Sequence, residues 1–411
     1  MKRSIVIAIA ASVLAIMASS CGNTLATRNA VVGENGVVLP YVRSFDVADY
    51  ARSAKKLMPS KAVCDSLAYL QGVSAGYEVK YQLGGDINLD EMKKGMRDFS
   101  KVDADAFLEA AQTNFTDSSA APVVAKFAIN PGDLGETMQA YIALNQIDTA
   151  DVSIMRESLR DSASYLYGVL SAFRLSDKKL NQSQFMKGMN RFLEVDTEGR
   201  FMEFARSRFQ DPEYPEFAKK FRIAPDKISD VNNRYSQALD AALVENVKVQ
   251  SGLFLKEAAK VDGIEKLDVV FTEIVDSVEV ETNSYILYRY TRLAAEDGPK
   301  VALGDSITVH YTGRHIDYSL FDQGEFPVDG LSNDGLIRGF VEGLQLLREG
   351  DEVEIVIPYE IGYGEMGSPN WWGGGYTIYP CETLVFTISV TDLRKPVEEP
   401  VADDADAAPA E

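Results

Sequence analysis

Histidine is almost absent from this chain: His310 and His315 are the only two in 411 residues. That inventory argues against a histidine-based zinc site and against a Ser-His-Asp triad. Cysteine is nearly as scarce, at three. Cys64 and Cys381 lie far apart, outside any CxxC or His-bearing spacing. A bridge between them stays open, but two buried free thiols are the expected state. Lys and Arg (41) are outnumbered by Asp and Glu (62), which argues against sequence-independent binding to a nucleic-acid backbone. The acidity reads as solubility. Beyond the first twenty residues no stretch is apolar for long enough to span a bilayer. The only two tryptophans, Trp371 and Trp372, stand side by side in "GSPNWWGGGYTIYP", a stretch too rich in glycine and proline to read as helix or strand.

What is present points first to export. "MKRSIVIAIAASVLAIMASS" has a basic start, an apolar run too short to span, and then small residues. Cys21 follows, so "MASSC" resembles a bacterial lipobox, in which the cysteine is lipidated and becomes the new N-terminus. An ordinary signal peptide with a cysteine nearby is the plainer alternative. The length and the 46% hydrophobic content allow two or three domains with real cores.

Three regimes follow. Residues 21–55 lack sustained periodicity and read as a tether. From about 56 to 262 apolar residues recur at helical spacing, and from about 267 strand-like alternation takes over, as in "YILYRYTRL", "SITVHYTG" and "TLVFTISVTDL". The end, "PVEEPVADDADAAPAE", reads as a disordered acidic tail. Within the helical regime a repeat is visible. "DSLAYLQGVSAGYEV" from Asp65 aligns with "DSASYLYGVLSAFRL" from Asp161, "MKKGMRDF" from Met92 with "FMKGMNRF" from Phe185, and "KFAINPGDL" from Lys126 with "KFRIAPDKI" from Lys220. Tyr69, Val73 and Tyr77 form one stripe, copied by Tyr165, Val169 and Phe173. Gly72 and Gly168 sit inside those helices, where glycine costs ~1 kcal/mol against alanine. That cost, met twice, suggests close helix-to-helix approach.

The repeated unit resembles the N-terminal helical domain of the Mip/FkpA-like FKBP-type peptidyl-prolyl cis-trans isomerases, here present twice. "ENVKVQSGLFLKEAAKVDGI" from Glu245 resembles the end of that family's connecting helix. "GDSITVHYTGRHIDYSLFD" from Gly304, "LIRGFVEGLQLLREGDEVEIVIP" from Leu336, "YEIGYGEMG" from Tyr359 and "YPCETLVFTISVTDL" from Tyr379 then follow in the order of an FKBP-type domain. "GYGEMG" also fits G-x-G-x-x-G, but no helix can open at the Ser-Pro that follows, so a dinucleotide site is rejected.

Rotation about a peptide bond faces ~18–20 kcal/mol because resonance makes the amide planar and polar. The twisted transition state loses that charge separation, so an apolar, water-poor pocket favours it, with no nucleophile, metal or cofactor. The resemblance implies a bowl of Tyr311, Phe321, Leu336, Ile337, Phe340, Tyr363 and Phe386, with Ile378 closing one wall. It also implies Asp322 as a buried acceptor, the Ile337 N–H binding one substrate carbonyl and the Tyr363 hydroxyl another. Two departures stand out. Phe340 occupies the floor position that is commonly tryptophan. The chain from Asp322 to Leu336 is short, so one flanking aromatic is missing or served by Phe326, and no basic partner for Asp322 is evident. Trp371 and Trp372, in a loop on a glycine hinge, are expected to grip apolar side chains of unfolded clients; packing back onto the domain is the alternative.

The expected fold is α+β: an all-helical N-terminal domain built from a tandem repeat, linked by a helix to an FKBP-type antiparallel β-sheet wrapped on a short helix. The expected boundaries are 1–20 signal peptide, 21–55 tether, 56–150 and 151–243 the two repeats, and 244–296 connecting helix and lead-in strands. Residues 297–395 form the FKBP-type domain and 396–411 the tail. The expected function is X-Pro isomerisation in exported proteins, against the alternative of a catalytically weak chaperone. The expected partners are proline-containing unfolded or exported proteins and the membrane, through the N-terminal lipid. The expected place is the cell envelope, on the periplasmic side of the outer membrane. The tandem repeats are expected to pair within one monomer, about a pseudo-twofold axis with Gly72 and Gly168 near the crossing.

Overall fold

A computed structural model describes residues 51–81, 87–147, 152–275, 278–294, 298–370 and 375–396. The expected signal peptide, Cys21, nearly all of the expected tether, Trp371, Trp372 and all of the expected acidic tail except Pro396 lie outside these. Among the described residues are twelve α-helices: α1 Arg52–Leu57, α2 Lys61–Tyr81, α3 Leu89–Phe99, α4 Ala104–Gln112, α5 Ala121–Val124, α6 Leu134–Leu144, α7 Ser153–Asp177, α8 Gln182–Val195, α9 Phe201–Arg206, α10 Tyr214–Ala218, α11 Ile228–Ala258 and α12 Arg338–Leu344. The eight strands are β1 Glu265–Val275, β2 Val278–Arg292, β3 Ser306–Arg314, β4 Leu320–Val328, β5 Glu352–Ile357, β6 Ser368–Pro369, β7 Tyr376–Ile378 and β8 Leu384–Arg394. The chain divides into two units, residues 57–241 and residues 242–396 with 51–56. The division falls inside α11, which begins at Ile228, within the span assigned to the second repeat. The last residues of the expected tether are helical: Ala54 is fully buried, and the Ala51 N–H donates to Asn246 Oδ1 at 2.9 Å.

In the first unit the repeats interlock. Helix α2 packs along α8 and α3 along α7, while no comparable pairing joins the two helices of one repeat. The equivalent helices α3 and α8 open on equivalent caps: Asn88 accepts from the Asp90 and Glu91 N–H groups, and Asn181 from those of Ser183 and Gln184. Glycine explains how closely the pairs approach. A Cβ on Gly72 would lie 1.9 Å from the Phe185 carbonyl oxygen, and one on Gly188 1.9 Å from that of Tyr69. A Cβ on Gly168 would lie 2.0 Å from the Met92 oxygen, and one on Gly95 2.0 Å from that of Tyr165. Exchanging the repeats exchanges these contacts. Gly72 and Gly168 therefore each meet the second helix of the opposite repeat, not one another. The third matched block completes the reciprocity. The Ala128 N–H donates to the Tyr165 hydroxyl at 2.8 Å, and the Arg222 N–H to that of Tyr69 at 3.2 Å.

Both aromatic stripes are thus core. Tyr69, Val73, Tyr165, Val169 and Phe173 are buried in one cluster spanning both repeats, with Tyr77 packed against it. Each fully buried large apolar side chain there contributes ~1.5–3 kcal/mol, and neither repeat alone could assemble that core.

The second unit is a six-stranded antiparallel sheet in the order β1-β2-β5-β8-β3-β4. Helix α12 lies tight against it because Gly339 and Gly343 leave room for Ile357 and Ile355, whose methyl carbons would stand 2.4 and 2.6 Å from an added Cβ. A second cluster joins Phe254 and Ala258 of α11 to Leu287, Ile316, Tyr318, Val356 and Val385. The sheet is therefore covered by apolar contacts from two helices. The stretch "GSPNWWGGGYTIYP" is less irregular than its composition suggests, since β6 and β7 pair as a short antiparallel ribbon.

Candidate functional site

The site is built on β3, β4, β8 and the entry to α12. In the pairing of β3 with β4, Gly313 faces Asp322 and Arg314 faces Leu320, which leaves Phe321 as the extra residue of a bulge. A bulge re-aims side chains. Here it lets Phe321 meet Phe386 edge-to-face at 5.6 Å although Asp322 and Phe326 follow on the same strand. Phe386 meets Phe340 at 5.2 Å, Phe340 meets Tyr311 at 6.1 Å, and Tyr311 meets Phe326 at 5.5 Å, each pair tilted by more than 75°. Such edge-to-face contacts are the preferred aromatic geometry. Leu336 and Ile337 pack on the same cluster, which also buries Ile378. The structure therefore brings together Tyr311, Phe321, Phe326, Leu336, Ile337, Phe340, Ile378 and Phe386. The phenyl ring of Phe340 lies between those of Tyr311 and Phe386, and Phe326 packs edge-to-face on Tyr311.

Asp322 departs from expectation. It is exposed, not buried. Its Oδ2 accepts from the Tyr311 hydroxyl at 2.8 Å and its Oδ1 from the Gln323 N–H at 2.9 Å. Among the described residues no lysine or arginine pairs with it. Burial, the Asp322 hydrogen bond and the Asp322 charge push the Tyr311 phenol up to about 12. The Tyr363 phenol is raised by burial and then by the Asp322 charge, so it too stays protonated and able to donate at neutral pH. Tyr363 is 38% exposed. Ile337 is the N-cap of α12, its carbonyl accepting from the Phe340 and Val341 N–H groups. The N–H of a cap residue stands outside the helical ladder and is free for another acceptor.

Gly313 was not among the expected site residues. A Cβ there would lie 2.6 Å from Phe321 Cζ and 2.9 Å from Phe386 Cε1, so only glycine leaves both rings their places. A glycine inside a strand pattern is itself a signal of close approach. His315 and Glu382 were also unexpected. The His315 ring lies 5.2 Å from that of Phe321, and its Nδ1 is 2.8 Å from Glu382 Oε1.

Residues 298–391 match the family model described as FKBP-type peptidyl-prolyl cis-trans isomerase. A probable FKBP-type peptidyl-prolyl cis-trans isomerase of Haemophilus influenzae is 31% identical over 168 residues, 40% of this chain and 64% of that protein. The FKBP-type 22 kDa peptidyl-prolyl cis-trans isomerase of Escherichia coli is 31% identical over 164 residues, 38% of this chain and 64% of that protein. The chain thus spans slightly under two thirds of the length of these relatives. The crystal structure of FkpA from Escherichia coli aligns with 51% of this chain and 97% of that one, at 20% identity and a TM-score of 0.31. Strands β3 to β7, most of β8, helix α12 and the rings from Tyr311 to Phe386 lie within the residues that this family model matches. Further relatives carry the names FkpA, a probable isomerase of Neisseria meningitidis, and Mip, an isomerase of Coxiella burnetii.

Proposed function

We propose that this chain isomerises X-Pro bonds in exported proteins. The observation that carries this reading is the continuous series of edge-to-face rings from Phe321 through Phe386, Phe340 and Tyr311 to Phe326. An apolar bowl of that kind favours a twisted, less polar amide over the planar one. The Ile337 N–H and the Tyr363 hydroxyl orient the substrate carbonyls, and the Tyr311–Asp322 hydrogen bond fixes the Tyr311 ring in the wall. Lipidation at Cys21 holds the protein in the cell envelope, on the periplasmic side of the outer membrane. Trp371 and Trp372 grip apolar side chains flanking the proline.

The test is the cis-to-trans rate of a short X-Pro peptide, which takes tens to hundreds of seconds uncatalysed. Wild type should accelerate it, Phe386→Ala should abolish most of the gain, and Asp322→Ala should lower it about tenfold, the equivalent of ~1.4 kcal/mol of transition-state stabilisation. A wild-type rate equal to buffer would transfer the conclusion to the chaperone reading. Replacing both tryptophans by alanine should weaken binding of unfolded protein more than turnover of a four-residue peptide. The interlocked repeats supply to one another the partner surface that a lone repeat lacks, so the form lacking residues 1–21 should sediment as a monomer; a dimer mass at micromolar concentration refutes that.

A further inference from the structure

Glu382 is a buried carboxylate at 2% exposure, outside the catalytic geometry above. Its Oε2 accepts from the Tyr379 N–H at 2.9 Å, and its Oε1 faces His315 Nδ1 at 2.8 Å. A buried carboxylate is tolerated when it is paired and hydrogen-bonded. The pair joins two walls of the bowl. The His315 ring meets that of Phe321 at a tilt of 57°, while Tyr379 directly follows Ile378, whose carbonyl oxygen would lie 2.4 Å from a Cβ on Gly367 at the root of the β6–β7 ribbon. Both connections hold a non-glycine residue in the left-handed region, Tyr318 at φ 64° and Cys381 at φ 59°. Strained residues persist only where their surroundings over-determine them. Here those surroundings are the Tyr318 N–H on the His315 carbonyl at 2.9 Å and the Cys381 N–H on the Gly364 carbonyl at 3.0 Å.

We infer that His315 and Glu382 are positioning residues that tie the Phe321 wall to the Ile378 wall, and that the protonation of His315 sets how firmly the bowl is held. The inference rests on the isomerase reading of the same site. The groups facing His315 are Glu382 and Tyr379 from the turn before β8, Asp317 from its own loop, and the uncharged Phe321 ring from β4. The Arg314 guanidinium is engaged by the Tyr318 carbonyl. Burial opposes a charge on His315, but the Glu382 hydrogen bond and the Glu382 and Asp317 charges outweigh it, so its pKa lies above the usual 6.5. The sign follows from linkage. A histidine raised on folding contributes fully below the unfolded pKa, and its contribution is lost as pH rises through the folded one. Above that point only neutral groups face Glu382, and the two walls loosen.

Because the chain has only two histidines, the test is clean. Histidine NMR titration, with His310→Gln to assign the signals, gives the His315 midpoint, expected above 6.5. Wild-type kcat/KM for the X-Pro peptide should fall several-fold as pH rises through that same midpoint. His315→Gln should hold the lower level at every pH, and His310→Gln should keep the wild-type profile. A fall at an unchanged midpoint in His315→Gln, or a flat wild-type profile across an observed His315 titration, overturns the inference. Should wild type show no acceleration at any pH, the isomerase reading fails; the latch is then read from the protection factor of the Tyr379 amide. That factor should drop above the His315 midpoint in wild type and stay constant in His315→Gln, and an unchanged factor in wild type refutes the latch. If His315→Gln does not fold, Glu382→Gln replaces it. The His315 midpoint should then drop to 6.5 or below, and a midpoint that stays put counts against the pair.

Discussion

Glycine stands at close contacts both in the repeat pairing and in the bowl, but in the two places it faces different things. In the helical unit Gly72, Gly95, Gly168 and Gly188 each face a backbone carbonyl of the opposite repeat, at 1.9 to 2.0 Å from where a Cβ would be. In the sheet unit Gly313 faces two rings, Phe321 at 2.6 Å and Phe386 at 2.9 Å. A carbonyl inside a helix cannot move without moving the helix. A ring can rotate away. The first arrangement therefore sets whether the repeats pair at all, and the second sets the shape of a bowl within a fold that stands without it.

The largest expected effect follows from the carbonyl contacts. Gly72→Ala combined with Gly188→Ala forces α2 and α8 apart along their whole pairing, and overpacking of this kind costs ~1–3 kcal/mol per site, more where the backbone is the obstacle. The helical unit should lose its cooperative melting transition, followed by circular dichroism at 222 nm, while the double variant keeps most of its rate on a short X-Pro peptide. If the peptide rate disappears together with the helical transition, the two units are not independent and the contrast fails.

How much of this was legible in the sequence differs between the units for the same reason. The interlocked core leaves a periodic trace, because each repeat needs the same residue types at the same spacing; the blocks at Asp65 and Asp161 carry it openly. What the pattern could not say is which helices pair, since Gly72 packs against Phe185 of the other repeat and not against its own second helix. The bowl was legible through ordered motifs, and Phe326 through the shortness of the segment around it. Asp322 was misread as buried because a role carried over by resemblance brings its usual surroundings with it, and here the side chain is exposed. His315 and Glu382 are 67 residues apart, on two turns that only the β3–β8 pairing brings together. No local pattern announces such a pair.

A smaller effect, and a test of the second half of the contrast, is expected at Gly313. Gly313→Ala should push the Phe321 ring from its place against Phe386, lowering kcat/KM about tenfold, or ~1.4 kcal/mol in the barrier. The thermal midpoint of the sheet unit should fall by only a few degrees, as expected for ~1 kcal/mol. A loss of the sheet transition with no separate effect on rate would make Gly313 a fold residue like Gly188 and erase the distinction drawn here.

The smallest expected effect has the opposite sign. Gly252 lies within α11, and a Cβ built on it meets no atom within 4 Å. Its backbone is not among the glycines at positive φ, so alanine enters without strain. Alanine is favoured over glycine inside a helix by ~0.8–1 kcal/mol, because glycine loses more backbone freedom on folding. Gly252→Ala should therefore stabilise the second unit, raising its thermal midpoint by several degrees with no change in isomerase rate. The same substitution that abolishes pairing at Gly72 and Gly188 and deforms the bowl at Gly313 would then be favourable here, which isolates the obstructing atom as the cause in the other two places. A destabilised Gly252→Ala protein would mean that the cost of adding a methyl group is not set by what it meets, and the explanation offered for the four carbonyl contacts would fall with it.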